Sequence, residues 1–260
     1  MDETKPPVDE SAESGPVGVD LPEIPEGELH DGPRKWWTRQ NILLLVFFAL
    51  VVVAVAGFYI QRGIVQGYEH RGDRYLDQKD YNRALKYFLK AARHDPQNPR
   101  VVFSVGKTML ALGRNNEALQ AFRSSFRLGG ASAELYLYMG FAESRLARPD
   151  QAELFYLHAL KIDRKQYAAH RELGMIRLKG GDLAGAETHL AQALRGYSAE
   201  KDPELYEALA GARMDLGLDE GAAETLDALL KAAPNNEKAR RAREKIRRTL
   251  ELQNLYRRVR

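Results

Sequence analysis

The side chains able to do covalent or metal chemistry are few in this chain, and their spacing does not assemble a reaction centre. There is no cysteine, which removes thiol nucleophiles, disulfides and Cys-based zinc sites, and suits an oxidising compartment. Among the six histidines, His158 and His189 are the pair considered for a metal, but a catalytic zinc needs three protein ligands and no third is in evident reach. The stretch GGDLAG, Gly180 to Gly185, has the glycines of a phosphate loop without the strand that should precede one. No HExxH, GxSxG elbow or Walker loop occurs. No catalytic residue, cofactor or metal is assigned, and an enzyme is not expected. What remains is recognition chemistry: aromatic side chains, scattered cations and a basic C-terminus.

The elements that must position those groups fall into three zones. Residues 1–41 carry four basic against ten acidic side chains, a net −6, with much Pro and Gly. They cannot bury enough apolar surface to offset ordering, so a disordered acidic tail is expected. Ile42 to Ile60 is 19 residues without a charge, about 28 Å of helix and enough to cross a hydrocarbon core. Trp36, Trp37 and Tyr59 flank it as interfacial aromatics. Ala54-Val55-Ala56 offers a signal-cleavage alternative, but the long acidic leader and the apolar continuation to Ile60 favour a retained anchor over 42–60. Residues 61–260 hold 35 basic against 26 acidic side chains, enough chain for a cooperative domain.

That third zone repeats. Sliding Val65–Asn98 along the chain by 34 residues aligns Gly72, Gly106, Gly140, Gly174 and Ala210. It also aligns Ala84, Ala118, Ala152, Ala186 and Ala222, and then Phe88, Phe122, Tyr156, Leu190 and Leu226. A further column holds Ala91, Ser125, Ala159, Ala193 and Leu229. Repeats begin at Val65, Pro99, Ala133, Tyr167 and Pro203, the last after two extra residues near GYSAEKDP. Small residues at two positions let paired helices approach to about 8–10 Å, and the bulky residue fills the space beside them. Turn signals DQKDY, LGRNN, ARPD, KGGD and LGLDE separate the two helices of each unit.

This pattern resembles the tetratricopeptide repeat over nearly all of 65–236, with its aromatic at Tyr75 and closing prolines at Pro96 and Pro234. It departs from the family at Gly130, Arg164 and Ser198, where that proline is missing, and at Tyr68, Val102, Tyr136, His170 and Tyr206, where the family has tryptophan. His170 is thereby expected to pack in the core. The resemblance implies an all-α, right-handed α-solenoid of five helix-turn-helix units: 65–98, 99–132, 133–166, 167–202 and 203–236. A basic capping helix, 237–260, should pack Ala239, Ala242, Ile246 and Leu250 on the last unit. One transmembrane helix precedes the stack and is expected to run into its first helix, with Gly63 as the weak point.

The resemblance also implies a peptide-binding groove lined by the first helix of each unit. The matching residues are Phe103, Lys107, Leu137, Tyr138, Phe141, Arg145, Arg171 and Met175, with Glu69, Asp73, Glu204 and Glu207 at the ends. The family's carboxylate clamp for heat-shock chaperone tails does not carry over, because Glu69, Asp73, Ser104, Glu134 and Tyr138 stand at its positions. Lys238 to Arg260 holds ten basic and two acidic residues, so anionic lipid contact is considered there. Nucleic acid is not favoured, since no aromatic interleaving or DNA-binding module accompanies the charge.

Three basic residues flank the span on each side (Arg34, Lys35, Arg39; Arg62, Arg71, Arg74), so flanking charge does not set orientation. The layout resembles single-span proteins of the bacterial inner membrane, with a cytoplasmic N-terminus and a periplasmic repeat domain. The expected function is a membrane-anchored scaffold that binds a protein or peptide in envelope assembly, secretion or holding of exported proteins. The alternatives are a cytoplasm-facing adaptor and a non-catalytic regulatory subunit of an envelope enzyme.

Overall fold

Helix-forming signals dominate each segment, and the computed structural model, which describes residues 39–259, is helical throughout apart from its turns. The elements are α1 (Arg39–Asp77), α2 (Tyr81–His94), α3 (Pro99–Ala111), α4 (Asn115–Arg127), α5 (Ala133–Arg145) and α6 (Pro149–Ile162). They continue with α7 (Tyr167–Lys179), α8 (Leu183–Ala193), α9 (Pro203–Asp215), α10 (Asp219–Ala232) and α11 (Glu237–Val259). The expected tail over 1–41 lies, up to residue 38, outside the described residues, as do Trp36 and Trp37.

By contact the chain divides into two units, Met1–Ala56 and Gly57–Arg260. In the first, α1 starts as an apolar rod. Every residue from Ile42 to Ala56 is exposed, including Leu43, Phe47 and Phe48. Valine and phenylalanine are mediocre helix formers in water, but in lipid the backbone must satisfy itself and a helix does so. By length and composition α1 is able to cross a membrane.

In the second unit, helices pair in sequence order: α3 with α4, α5 with α6, α7 with α8 and α9 with α10. Each pair then stacks on the next. Helix starts are capped where the chain supplies an acceptor. Asp80, Ser132, Asp182, Asp202 and Asn236 each receive a backbone N–H from three residues on, and Asn98 takes those of Arg100 and Val101. Turns inside the pairs share one left-handed residue at the same repeat position: Lys79, Gly113, Ala147, Gly181 and Gly217. Gly63, expected as a weak point, does not interrupt α1. Its N–H and C=O stay within the helix, and nothing lies within 4 Å of where its Cβ would be.

The core follows the repeat. Ala84, Ala118, Ala152, Ala186 and Ala222 are fully buried, as are Phe88, Phe122, Tyr156 and Leu190, with Leu226 nearly so. The aromatic or leucine of each second helix lies directly on the glycine of the first. A Cβ at Gly72 would sit 2.6 Å from Phe88 Cε1, and one at Gly174 would sit 2.7 Å from Leu190 Cδ2. Ser125 occupies a buried alanine column and satisfies its hydroxyl by donating to Pro99 C=O at 2.7 Å. Glu143 is the buried carboxylate, flanked by Arg148 at 3.3 Å and Arg123 at 3.7 Å. At the C-terminus, Ala239 and Ile246 are buried against α10, with Ala242 and Leu250 beside them.

Candidate functional site: an aromatic groove across α1, α3 and α5

Among the first helices α3 lies against α5 and α7 against α9, so the outward residues of each such pair stand side by side. Two open cavities lie along the N-terminal half of the stack. One, of about 740 Å³, is lined by Glu69, Asp73, Arg100, Phe103, Ser104 and Lys107, among others. The other, of about 300 Å³, is lined by Leu76, Lys107, Leu110, Tyr138, Phe141 and Arg145. Lys107 borders both, so the two adjoin as one groove-like surface, acidic at α1 and apolar at α5.

Aromatic rings make its floor. Phe103 meets Tyr138 edge-on with centroids 5.5 Å apart, and Tyr138 meets Phe141 at 5.6 Å. Phe103 rests on buried Phe122 at 5.7 Å, and Phe141 on buried Tyr156 at 5.9 Å. The floor is thus held by the same side chains that seal the glycine contacts, which pre-organises it. Lys107 Nζ stands 5.4 Å from the Phe103 ring centroid and 5.1 Å from that of Tyr138, within cation–π range. It also donates to Glu134 Oε1 at 3.2 Å.

The eight groove residues read from the repeat phase divide into three sets. Phe103, Lys107, Tyr138, Phe141 and Arg145 converge on the groove. Leu137 does not: it is 5% exposed and packs with Ala152, Tyr156, Ala169 and Leu173. Its position faces the stacking contact with α7, where an isobutyl group fills the gap between units. Arg171 and Met175 lie apart on α7 and line neither cavity. Met175 packs on the cluster between α8 and α9.

The two arginines expected as a basic clamp already have partners within the chain. Arg171 is engaged by three carboxylates, Asp202 at 2.5 Å, Glu172 at 2.6 Å and Glu204 at 3.1 Å. The Asp202 hydrogen bond raises its pKa beyond the ordinary range despite partial burial. Arg145 donates Nη1–H to Leu110 C=O at 2.6 Å, closing the end of α3. At the C-terminal end Glu207 is held by Asn236 and Lys238, whose hydrogen bonds lower its pKa. Glu69 is the contrasting carboxylate. Burial raises its pKa; Arg100 opposes that shift and Asp73 adds to it.

Arg100, Leu76 and Leu110 line the groove and were passed over in the sequence. They stand at the second and twelfth repeat positions, within the first helices expected to line the groove, so the signal was present. The histidines also pair differently. His158 stacks on Tyr136 at 5.3 Å, whereas His189 Nδ1 faces His170 Nδ1 at 2.9 Å. No group of three metal-ligating side chains occurs among the described residues.

Models described as tetratricopeptide repeat match residues 75–125 and 171–237. Mouse DnaJ homolog subfamily C member 7 is 30% identical over 107 residues, which is 41% of this chain and 22% of that protein. The Hsp70-Hsp90 organising protein of Plasmodium falciparum is 28% identical over 106 residues, 41% of this chain and 42% of that protein. The chain therefore spans less than half the length of these curated relatives, and 6% of mouse tetratricopeptide repeat protein 28. Among solved structures, PilW, described as a widely conserved type IV pilus biogenesis factor, superposes with a TM-score of 0.57 at 21% identity. It covers 74% of this chain and 94% of that one. YrrB, described as a TPR protein with an unusual peptide-binding site, superposes with a TM-score of 0.52 at 20% identity, covering 68% of this chain and 90% of that one. Local matches to the repeat and folds along it converge: residues past the apolar rod fold as an α-solenoid similar to those of tetratricopeptide-repeat proteins.

Proposed function

We propose that the chain is a non-catalytic, single-pass membrane scaffold whose groove across α1, α3 and α5 holds an extended segment of another protein. The observation that carries this reading is the open aromatic floor of Phe103, Tyr138 and Phe141, fixed from beneath by Phe122 and Tyr156. Aromatic anchors in pre-formed pockets dominate binding energy. With Arg171 and Arg145 already engaged, selectivity rests on apolar side chains at the α5 end. At the α1 end, Glu69 and Asp73 favour a basic residue of the ligand over the acidic tails taken by carboxylate clamps. Residues 42–60 anchor the protein, and the repeat domain works on the exoplasmic side, in envelope protein assembly or secretion. The likeness to PilW's fold supports that setting.

A photo-crosslinking residue at Ser104, in the groove, and another at Thr188, exposed on α8, test this in intact membranes. The partner should be captured from Ser104 and lost when Phe141→Ala is added to a chain that still melts normally. Capture from Thr188 with an empty groove would overturn the reading. Digestion of residues 61–260 by protease from the exoplasmic side tests the orientation. Resistance until the membrane is opened would favour the cytoplasm-facing adaptor.

A further inference from the structure

Helix α11 has two faces, and the cap uses one. Ala239, Ala242, Ile246 and Leu250 seat it on α10, and the last tie is Gln253 Nε2 donating to Asp219 at 3.0 Å. At 100° per residue, Arg241, Lys245, Arg248, Leu252 and Leu255 fall on the opposite face in a 4-3-4-3 spacing, with Tyr256 beside them. Leu252, Leu255 and Tyr256 are 57%, 59% and 74% exposed. This outward face is basic along its first half and apolar along its second.

The charge is not neutralised from within. Lys238 to Arg260 carries a net +8 by sequence. Arg241 pairs with Glu237, and Arg247 and Arg248 share Glu244, all exposed pairs within one helix, which bind weakly. Arg240, Lys245 and Arg257 make no ion pair among the described residues. A second copy packed along this seam would oppose like charges if parallel, and cations to leucines if antiparallel.

We propose that the outward face of α11 is a second membrane contact that docks on anionic lipid. Arg241, Lys245 and Arg248 meet headgroup phosphates, while Leu252, Leu255 and Tyr256 enter the interface. A basic helix with a short apolar face and a tyrosine at headgroup depth has the composition of an interfacial helix, and its net charge complements an anionic leaflet. The inference rests on reading α1 as a membrane span, because that span keeps a bilayer within reach.

The absence of native cysteine makes a clean test. Leu255→Cys in the full chain takes a single environment-sensitive nitrobenzoxadiazole label. The labelled chain is reconstituted into vesicles of phosphatidylcholine alone or with phosphatidylglycerol. Emission should shift to the blue, and quenching by spin-labelled lipid should be about threefold or more stronger with phosphatidylglycerol, fading at high salt. Arg241→Gln with Lys245→Gln and Arg248→Gln should remove the difference without moving the melting temperature, since these residues face away from α10. Equal emission in both vesicles overturns the proposal. So does a shift that grows with protein density at fixed lipid, which would mean a second copy. Alkaline extraction scores the α1 anchor separately, so an inserted chain with an aqueous label sinks this inference and leaves the anchor standing.

Discussion

A Cβ placed on Gly106 would lie 2.5 Å from Cε1 of Phe122, so the ring of α4 rests on bare backbone of α3. The same relationship recurs as Gly72 under Phe88, Gly140 under Tyr156 and Gly174 under Leu190. In the fifth unit the pair is Ala210 with Leu226, both buried. The phase that positions the groove therefore depends on a size match between two helices.

Gly106→Ala should lower stability by about 1–3 kcal/mol, because Phe122 is fully buried and has nowhere to retreat. Adding Phe122→Leu should recover part of that loss, reproducing the alanine–leucine pairing of the fifth unit. A double-mutant cycle by chemical denaturation reads the coupling. Additive losses would mean that the two side chains do not share one space.

Ala147 and Lys79 hold φ of 57° and 58° where three other units have glycine. An L side chain is strained there, so Ala147→Gly should stabilise the chain by about 0.5–1 kcal/mol, the strain relief exceeding the added freedom of the unfolded state. Denaturant midpoints of the purified chain check the sign.

The Tyr156 hydroxyl is buried without a hydrogen-bond partner, Ser144 lying close but outside bonding geometry. Burial, with the Glu172 carboxylate nearby, pushes its phenol far above the ordinary range. Phe88 and Phe122 fill the same position in the first two units. Tyr156→Phe should therefore raise stability by about 1 kcal/mol, since an unmet buried donor costs that much or more. A loss in thermal melting would indicate a hydrogen bond formed in solution.

His189 is held neutral: burial, then His170 and Arg177, lower its pKa to about 4, and burial also lowers that of His170. The unfolded chain takes up these protons near pH 6.5. Stability should then be level above pH 6.5 and fall as pH drops toward 4. Asp182, the carboxylate facing His189, is itself held low by the Gly185 N–H and Arg177. Replacing the pair as His170→Tyr with His189→Phe, the aromatics of Tyr136 and Phe155 in the third unit, should flatten this part of the pH profile of melting. An unchanged slope would assign the acid sensitivity to the carboxylates.

Repeat phase was legible because it is written in steric necessities. Residues that must be small, such as Gly106 and Ala118, or large, such as Phe122, recur every 34 positions. The starts so derived, Pro99, Ala133, Tyr167 and Pro203, are the first residues of α3, α5, α7 and α9. Side-chain fate in the groove was less legible. Helix α5 opens AELYLYMGF, apolar on most sides, so its period does not separate buried Leu137 from half-buried Phe141. Arg171 reads as a free cation until folding brings Asp202, at the end of its own unit, and Glu204, in the next, against it. The His170–His189 contact spans 19 residues and follows from two repeat positions that are aromatic in the first and third units.

The three carboxylates around Arg171 have a further consequence. Asp202 closes the unit that holds Arg171 and caps α9, and Glu204 lies in the first turn of that next helix. The charge this stretch of wall shows to a visitor is thus decided by a neighbour that does other structural duty. Asp202→Ser would keep the cap and leave one fewer anion on the guanidinium, turning an internal strut toward an anion reader while every groove-lining side chain stayed the same. New binding preferences are then open to lineages of this chain through changes at the joints between units.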